Sequence, residues 1–217
     1  MLYSNTRKQA LSGWLKCNDE CSYASSLKLQ KFLLFYESFS KINNDEYDFT
    51  RLCGYERGPV FSAVWGDYTK ESLLFESAIV EQYQSNGAFI NQERALKAGF
   101  LVKIMSESEL SELTHRLDLW KSKEKQIYSR QKNVPLSEKN FSENDINIFI
   151  ELENLYSKDF IENSSVIRIN NKYFVLNKEE AAQLTEKNFD VLESLSKMDE
   201  LMNPVMVTLN EGRLEID

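Results

Sequence analysis

The sequence predicts a mainly α-helical domain with small β elements, followed by a smaller C-terminal unit that mixes strands and a helix. Two observations support this fold class. The 217 residues include only 3 prolines and 7 glycines, so few positions interrupt a helix. Apolar residues recur at helical spacing over most of the first 160 residues, whereas runs rich in β-branched and aromatic residues follow only later.

Apolar spacing and capping residues predict seven helices in the first part of the chain. They cover approximately residues 5–17, 25–39, 58–65, 71–84, 91–105, 107–114 and 143–160. The second is apolar on most faces, so we expect it at the centre of the fold. Pro59 is assigned to the first position of the third helix, where its missing N–H has no intrahelical partner. Residues 47–55 fit either an edge strand or an irregular loop. The expected buried faces include Val60, Phe61, Val64, Trp65, Leu73, Leu74, Ile146 and Ile150.

Residues 161–217 are predicted to form a small α+β unit beside the helical domain of residues 1–160. The β-rich runs 165–169 and 173–176 are joined by Asn170-Asn171-Lys172. This predicts a hairpin, because asparagine tolerates the positive φ that tight turns require. A helix is predicted for residues 178–202, where Pro204 ends it, and a last strand for residues 205–209.

The charge of the chain is acidic and unevenly distributed. The net charge is −8, and residues 161–217 contribute −5 of it from six Lys/Arg and eleven Asp/Glu. An acidic protein lacks the electrostatic footprint for phosphate backbones, which argues against a nucleic-acid partner. No apolar run reaches the roughly 20 residues that span a bilayer, and the N-terminus has no apolar signal core. We therefore expect a cytoplasmic protein with no membrane partner.

The residue inventory gives no support for catalysis, a metal or a cofactor. His115 is the only histidine, and the chain has no G-x-S-x-G, P-loop or G-x-G-x-x-G motif. A zinc site needs about four ligands, for which Cys17, Cys21, Cys53 and His115 are the sole combination. Free thiols packed as small hydrophobic side chains explain the cysteines more simply. We therefore expect a non-enzymatic protein without catalytic residues, bound metal or cofactor.

Three short motifs occur in order along residues 4–160. Residues 27–35 read LKLQKFLLF, residues 57–61 read RGPVF, and residues 110–115 read LSELTH with Trp120 following. Together they resemble the LKLQKLLYF, YGPVV and LSELTH....W motifs of the Panacea domain, also known as a phage-associated or SocA-like domain. Arg57 differs from the aromatic or other polar residue of many members, and Leu119 stands where the family often has proline. Each motif alone is weak, but three in this order are specific.

The resemblance implies an antitoxin of a toxin–antitoxin system, which binds and neutralises a cognate protein toxin encoded beside it and is not itself an enzyme. Two alternatives stay open: an adaptor that presents a bound partner to a protease, and a phage counter-defence protein that binds a host factor. A hydrolase would require a concave site with perturbed titrating groups, which the sequence does not indicate. Residues 161–217 lie outside the resemblance, and they either help to select the toxin or complete the core.

The motifs supply the candidate partner-binding residues. These are Gln30, Lys31, Arg57, Gly58, Pro59, Thr114, His115 and Trp120. Gln30 and Lys31 are polar residues inside an apolar helix, so we expect them to hydrogen-bond backbone such as the turn at Arg57. In one interpretation the motifs only hold the fold together, and the partner binds elsewhere. In the other they line one shared groove.

Overall fold

The computed structural model describes residues 1–129, 131 and 133–216, so Asp217, the end of the predicted C-terminal unit, lies outside the described residues. Within these ranges the fold is mainly α-helical with small sheets, as the sequence predicts. The helices are α1 (Thr6–Asn18), α2 (Glu20–Tyr23), α3 (Ser26–Ile42), α4 (Ser62–Lys70), α5 (Ser72–Asn86), α6 (Gln92–Ile104), α7 (Glu107–His115), α8 (Asp118–Lys121), α9 (Glu124–Tyr128), α10 (Glu143–Asn154), α11 (Lys158–Asn163), α12 (Lys178–Ala181) and α13 (Glu186–Leu195). The strands are β1 (Leu52–Tyr55), β2 (Gly58–Phe61), β3 (Val134–Pro135), β4 (Ser164–Ile169), β5 (Lys172–Asn177), β6 (Val205–Asn210) and β7 (Arg213–Ile216).

Helix α3 is the centre of the larger part of the molecule. Every residue from Leu27 to Ser40 is buried, and the helix packs against α1, α6 and α10. Ser25 caps its N-terminus, because the Ser25 side chain accepts the Lys28 backbone N–H. The prediction of a central helix is confirmed. Because polar residues are buried along α3 as well, their hydrogen bonds have to be met inside the protein.

A three-stranded antiparallel sheet contacts α3, with the strand order β2-β1-β3. Its middle strand is β1. The segment 47–55, which fitted either an edge strand or a loop, therefore contains a central strand in its last four residues. The prediction that a helix begins at Gly58-Pro59 is wrong, because these residues begin strand β2 and the next helix begins at Ser62. Pro59 is accommodated because β2 is an edge strand, where a missing N–H is tolerated.

Helix α5 packs against α1, but the prediction that Leu73 and Leu74 lie on its buried face is wrong. Leu73 and Leu74 are 84% and 47% exposed, whereas Phe75 and Ile79 are buried. The two helix backbones approach closely at Gly13, where an added Cβ would lie 2.1 Å from the Ile79 carbonyl oxygen. This close approach fixes which side of α5 faces the core.

The single helix predicted for residues 143–160 is two helices in the structure. Helix α10 ends at Asn154, and Ser157 caps the new helix α11. Ile146 and Ile150 are 37% and 44% exposed, and Phe149 is the buried residue of this face. The predicted apolar face is therefore wrong at both isoleucines.

A four-stranded sheet with the order β4-β5-β6-β7 forms most of the C-terminal unit. Strands β4 and β5 form the predicted hairpin, and Asn170 in its turn has a φ of 53°. Strands β5 and β6 are parallel, whereas β6 and β7 are antiparallel. The helix predicted for residues 178–202 is divided into α12 and α13, because Thr185 and Asn188 form a capping box that begins a second helix.

The two parts of the molecule share an apolar contact. Phe100 and Ile104 of α6 pack with Ile161 of α11 and Val175 of β5. The predicted boundary at residue 160 falls inside α11, so this helix joins the two parts. None of the helices in the described ranges combines the length and the apolar character needed to cross a lipid bilayer.

Candidate functional site

The candidate site is built around the turn between β1 and β2. Tyr55 pairs with Gly58 across the hairpin, so Glu56 and Arg57 form its two-residue loop. Gly58 has a φ of +99°, a backbone conformation that glycine adopts far more readily than other residues. The glycine of the second motif therefore allows the chain to reverse at this point.

The first motif holds this hairpin from α3. Gln30 Oε1 accepts the Phe61 backbone N–H at 2.8 Å. Lys31 Nζ donates to the carbonyl oxygens of Arg57 at 2.9 Å and of Pro59 at 3.3 Å. The expected hydrogen bonds from these two polar side chains to nearby backbone are confirmed. They also explain why residues 58–61 form a strand, since the strand backbone is bound to α3.

The third motif reaches the same glycine. Thr114 lies near the end of α7, where it is buried and its hydroxyl donates to the Leu110 carbonyl oxygen at 3.0 Å. A Cβ added at Gly58 would lie 2.4 Å from both Thr114 Oγ1 and Lys31 Nζ. The three motifs, which are far apart in the sequence, thus meet at one backbone position.

His115 and Trp120 complete the third motif beside the turn. Their rings stack with centroids 4.0 Å apart, and Trp120 Nε1 donates to the Tyr55 carbonyl oxygen at 3.0 Å. Burial lowers the pKa of His115, the Glu56 backbone opposes that effect, and the Lys31 amine lowers the pKa further. Packing against the hairpin is therefore the role that the contacts give to both rings.

Lys31 is the buried cation of the site. The residue is 1% exposed, and burial lowers the pKa of its amine to about 7, with a smaller contribution from the Arg57 guanidinium. Arg57 itself is exposed and pairs with Glu107 at 2.7 Å. Near neutral pH the amine of Lys31 is therefore present in both protonation states.

A cleft of about 550 Å³ lies beside the turn. Three of the candidate residues, Gln30, Lys31 and Arg57, line it. The others support the turn without lining the cleft. These are Gly58, Pro59, Thr114, His115 and Trp120. Both interpretations of the motifs therefore agree with part of the structure. All eight residues belong to the hairpin region or support it, and three of them also line a groove.

The apolar walls of the cleft could not be predicted from the sequence. Val60 and Trp65 were expected on the buried face of one helix, but they line the cleft from β2 and α4, and Trp65 is 38% exposed. Ile127 reaches the cleft from α9, and Gly54 leaves room for it, since an added Cβ would lie 2.4 Å from Ile127 Cδ1. No local sequence signal relates these positions, because they meet only in the tertiary fold.

The three cysteines differ in their exposure. Cys17 and Cys21 are exposed, whereas Cys53 in β1 is buried, and burial raises the pKa of its thiol. Across residues 1–129, 131 and 133–216, no three His, Cys, Asp or Glu side chains are placed to hold a metal ion together. Cys53 therefore packs as a small core side chain.

Comparisons of the chain with models of protein families, with curated proteins and with solved structures each found no match. The likeness to the Panacea domain therefore rests on the three motifs themselves. To these the fold adds one observation, which is that residues from all three motifs contact one another at Gly58.

Proposed function

We propose that this protein is a Panacea-type antitoxin that neutralises a cognate protein toxin by binding it directly. In this proposal residues 1–160 are the scaffold, and residues 161–217 help to select the toxin. The meeting of the three motifs supports the first part, because a shared family scaffold would place its motif residues in mutual contact. The surface of the C-terminal unit supports the second part.

Exposed apolar side chains within an acidic stretch carry the proposal. Between residues 186 and 200 the chain has five Asp/Glu and two Lys/Arg, all of them exposed. Phe189, Val191, Met198 and Met202 are 44%, 46%, 45% and 80% exposed. Apolar side chains among charged ones are typical of protein interfaces, and an acidic surface attracts a basic partner. A toxin with a basic nucleotide- or RNA-binding site fits this surface.

The edge of β4 offers a second point of attachment. Within the described ranges β4 pairs only with β5, so its other edge carries backbone N–H and C=O groups that no strand pairs. Val166 and Ile167 of this strand are only partly buried. An extended segment of the toxin can add to such an edge through backbone hydrogen bonds.

Co-expression with the protein encoded beside this chain tests the proposal. We expect the wild-type chain to restore growth and to co-purify with that toxin. Phe189→Glu places a charge in the exposed apolar surface, so we expect toxin affinity to fall by about tenfold or more. Leu73→Glu is the matched control, because Leu73 is also apolar and is 84% exposed, but it lies on α5 outside the acidic unit.

The outcomes separate the functions that the sequence left open. A wild-type chain that neither binds the neighbouring protein nor restores growth contradicts an antitoxin. Equal binding by both variants contradicts the assigned surface. The abundance of the toxin distinguishes neutralisation from adaptor activity, since an antitoxin keeps its toxin in a stable complex. Protease-dependent loss of the toxin would instead support an adaptor.

A further inference from the structure

The cleft beside the β1–β2 turn combines an apolar wall with a polar floor. Leu27, Val60 and Trp65 contribute to the wall, whereas Gln30 and Lys31 form the buried polar side. The volume of about 550 Å³ lies within the range of small-molecule sites in proteins. The partly exposed Trp65 ring leaves an aromatic surface free for contact with a ligand.

The polar groups on this floor are hydrogen-bond donors. Lys31 Nζ carries three N–H groups when protonated, and within the described residues it donates only to the carbonyl oxygens of Arg57 and Pro59. Gln30 Oε1 accepts the Phe61 N–H, which fixes the amide orientation and leaves Nε2 as the unpaired donor among described residues. A ligand that fills the cleft therefore has to supply acceptors.

Within the described ranges, Lys31 also lacks an anionic partner. Of the two other buried lysines, Lys8 pairs with Glu37 and Asp48, whereas Lys28 donates to the Tyr173 hydroxyl at 3.2 Å and forms no ion pair among the described residues. For Lys31, no carboxylate in the described ranges lies within 4.0 Å of Nζ, and the charged neighbour Arg57 has the same sign. Burying a cation without a counter-charge is unfavourable. An anion in the cleft would offset this penalty.

We propose that the cleft binds a small carboxylic acid with an apolar body. The carboxylate accepts hydrogen bonds from Lys31 and Gln30, and the apolar body lies against the wall of the cleft. Glu56 and Arg57 also line the cleft, are both exposed and carry opposite charges. This inference goes beyond the toxin binding proposed above and does not depend on it. The same group occurs at the C-terminus of a peptide, and the experiment separates the two sources.

The first experiment compares an acid with its amide. 3-Phenylpropionate and 3-phenylpropionamide have the same shape, but only the acid carries a negative charge. Titration followed by NMR of the ¹⁵N-labelled full chain should show saturable shifts of the Gln30 side-chain amide with the acid. We expect a Kd of about 1 mM for a ligand of this size, and binding of the amide that is weaker by about tenfold or more.

Gln30→Glu is the decisive variant. The new side chain keeps an oxygen that accepts the Phe61 N–H, but it replaces the Nε2 donor with a second negatively charged oxygen. We expect the variant to remain folded by circular dichroism, since an oxygen still accepts the Phe61 N–H, while affinity for the acid falls by about tenfold or more. Gln82→Glu is the matched control, because Gln82 Oε1 likewise accepts from Asn86 at 2.8 Å and Gln82 lies outside the cleft.

A pentapeptide that ends in phenylalanine, as the acid and as the C-terminal amide, identifies the source of the carboxylate. Tighter binding of the peptide acid than of 3-phenylpropionate assigns the cleft to chain termini, and weaker binding assigns it to free acids. Either result supports a carboxylate site. Equal binding of acid and amide, no saturable shift up to about 10 mM, or wild-type affinity in Gln30→Glu overturns the proposal.

Discussion

Gly58 gives the sharpest test of how the motifs hold the hairpin. It combines a φ of +99° with a contact in which an added Cβ would lie 2.4 Å from Lys31 Nζ and from Thr114 Oγ1. Gly212 has a φ of +80°, but a Cβ added there would meet none of the surrounding described atoms within 4 Å. Gly66 lies inside α4, and a Cβ added there would likewise meet none of them within 4 Å. A comparison of the three glycines therefore separates the cost of a positive φ from the cost of a steric clash with an added Cβ.

Substitution of each glycine by alanine should give a graded series in the free energy of unfolding. Gly66→Ala should raise it by about 0.5–1 kcal/mol, because alanine is favoured over glycine inside a helix. Gly212→Ala should lower it by about 1–2 kcal/mol, the cost of a left-handed conformation for an L residue. Gly58→Ala adds about 1–3 kcal/mol of overpacking to that cost, so we expect a loss of about 2–5 kcal/mol.

Urea denaturation followed by circular dichroism measures these differences, provided that the m-values agree. If Gly58→Ala costs the same as Gly212→Ala within about 0.5 kcal/mol, Lys31 and Thr114 move aside freely, and the motifs do not lock the turn. Arg57→Ala is a second control in the same loop. Its guanidinium is exposed and, among the described residues, forms a single surface ion pair, so its loss should cost less than about 1 kcal/mol.

Three further predictions concern the buried amine, the stacked rings and the contact between the two parts. The folded pKa of Lys31, about 7, lies below its ordinary value of 10.5, so the unfolded chain binds more protons between these values. Because of this group, the free energy of unfolding of the wild type should therefore rise by up to about 1.4 kcal/mol per pH unit above pH 7. Lys31→Met should not show this rise when urea unfolding at pH 7 is compared with urea unfolding at pH 9. An equal pH dependence in both proteins would contradict this. His115→Ala should cost about 0.5–2 kcal/mol through lost packing on Trp120, whereas loss of toxin neutralisation at unchanged stability and toxin affinity would point to catalysis instead. Val175→Ala should cost about 1–3 kcal/mol by emptying the contact with Phe100, and an unchanged melting temperature would show that this contact carries no stability.

The helix starts that could be predicted from the sequence are those with a capping side chain. Asn5, Ser25, Ser106 and Ser142 each accept a backbone N–H from the residue three positions later. Such a hydrogen bond is local, so its residue types and spacing are visible without knowledge of the tertiary fold. The central position of α3 was also predictable, because a helix that is apolar on most faces has little surface suited to solvent.

Tertiary contacts decide the features that could not be predicted. Gly58-Pro59 fits both a helix start and an edge strand, and the side chains of Gln30 and Lys31 favour the strand by binding its backbone. Leu73 faces solvent because the close approach of α1 at Gly13 turns another side of α5 to the core. The candidate residues came from motifs, but the cleft that three of them line depends on residues from five separate elements.

The first turn of α7 joins the cleft to the C-terminal unit. Glu107 pairs with Arg57 beside the cleft, and Glu109 accepts from Asn203 Nδ2 at 3.0 Å while it closes the capping box with Ser106. One helix end therefore contacts both the turn beside the cleft, through Glu107, and the C-terminal unit, through Glu109. An anion in the cleft attracts Arg57, and Arg57 cannot give the same N–H groups to that anion and to Glu107. Occupancy of the cleft would thus compete with the Arg57–Glu107 pair at the helix end where Glu109 also accepts from Asn203.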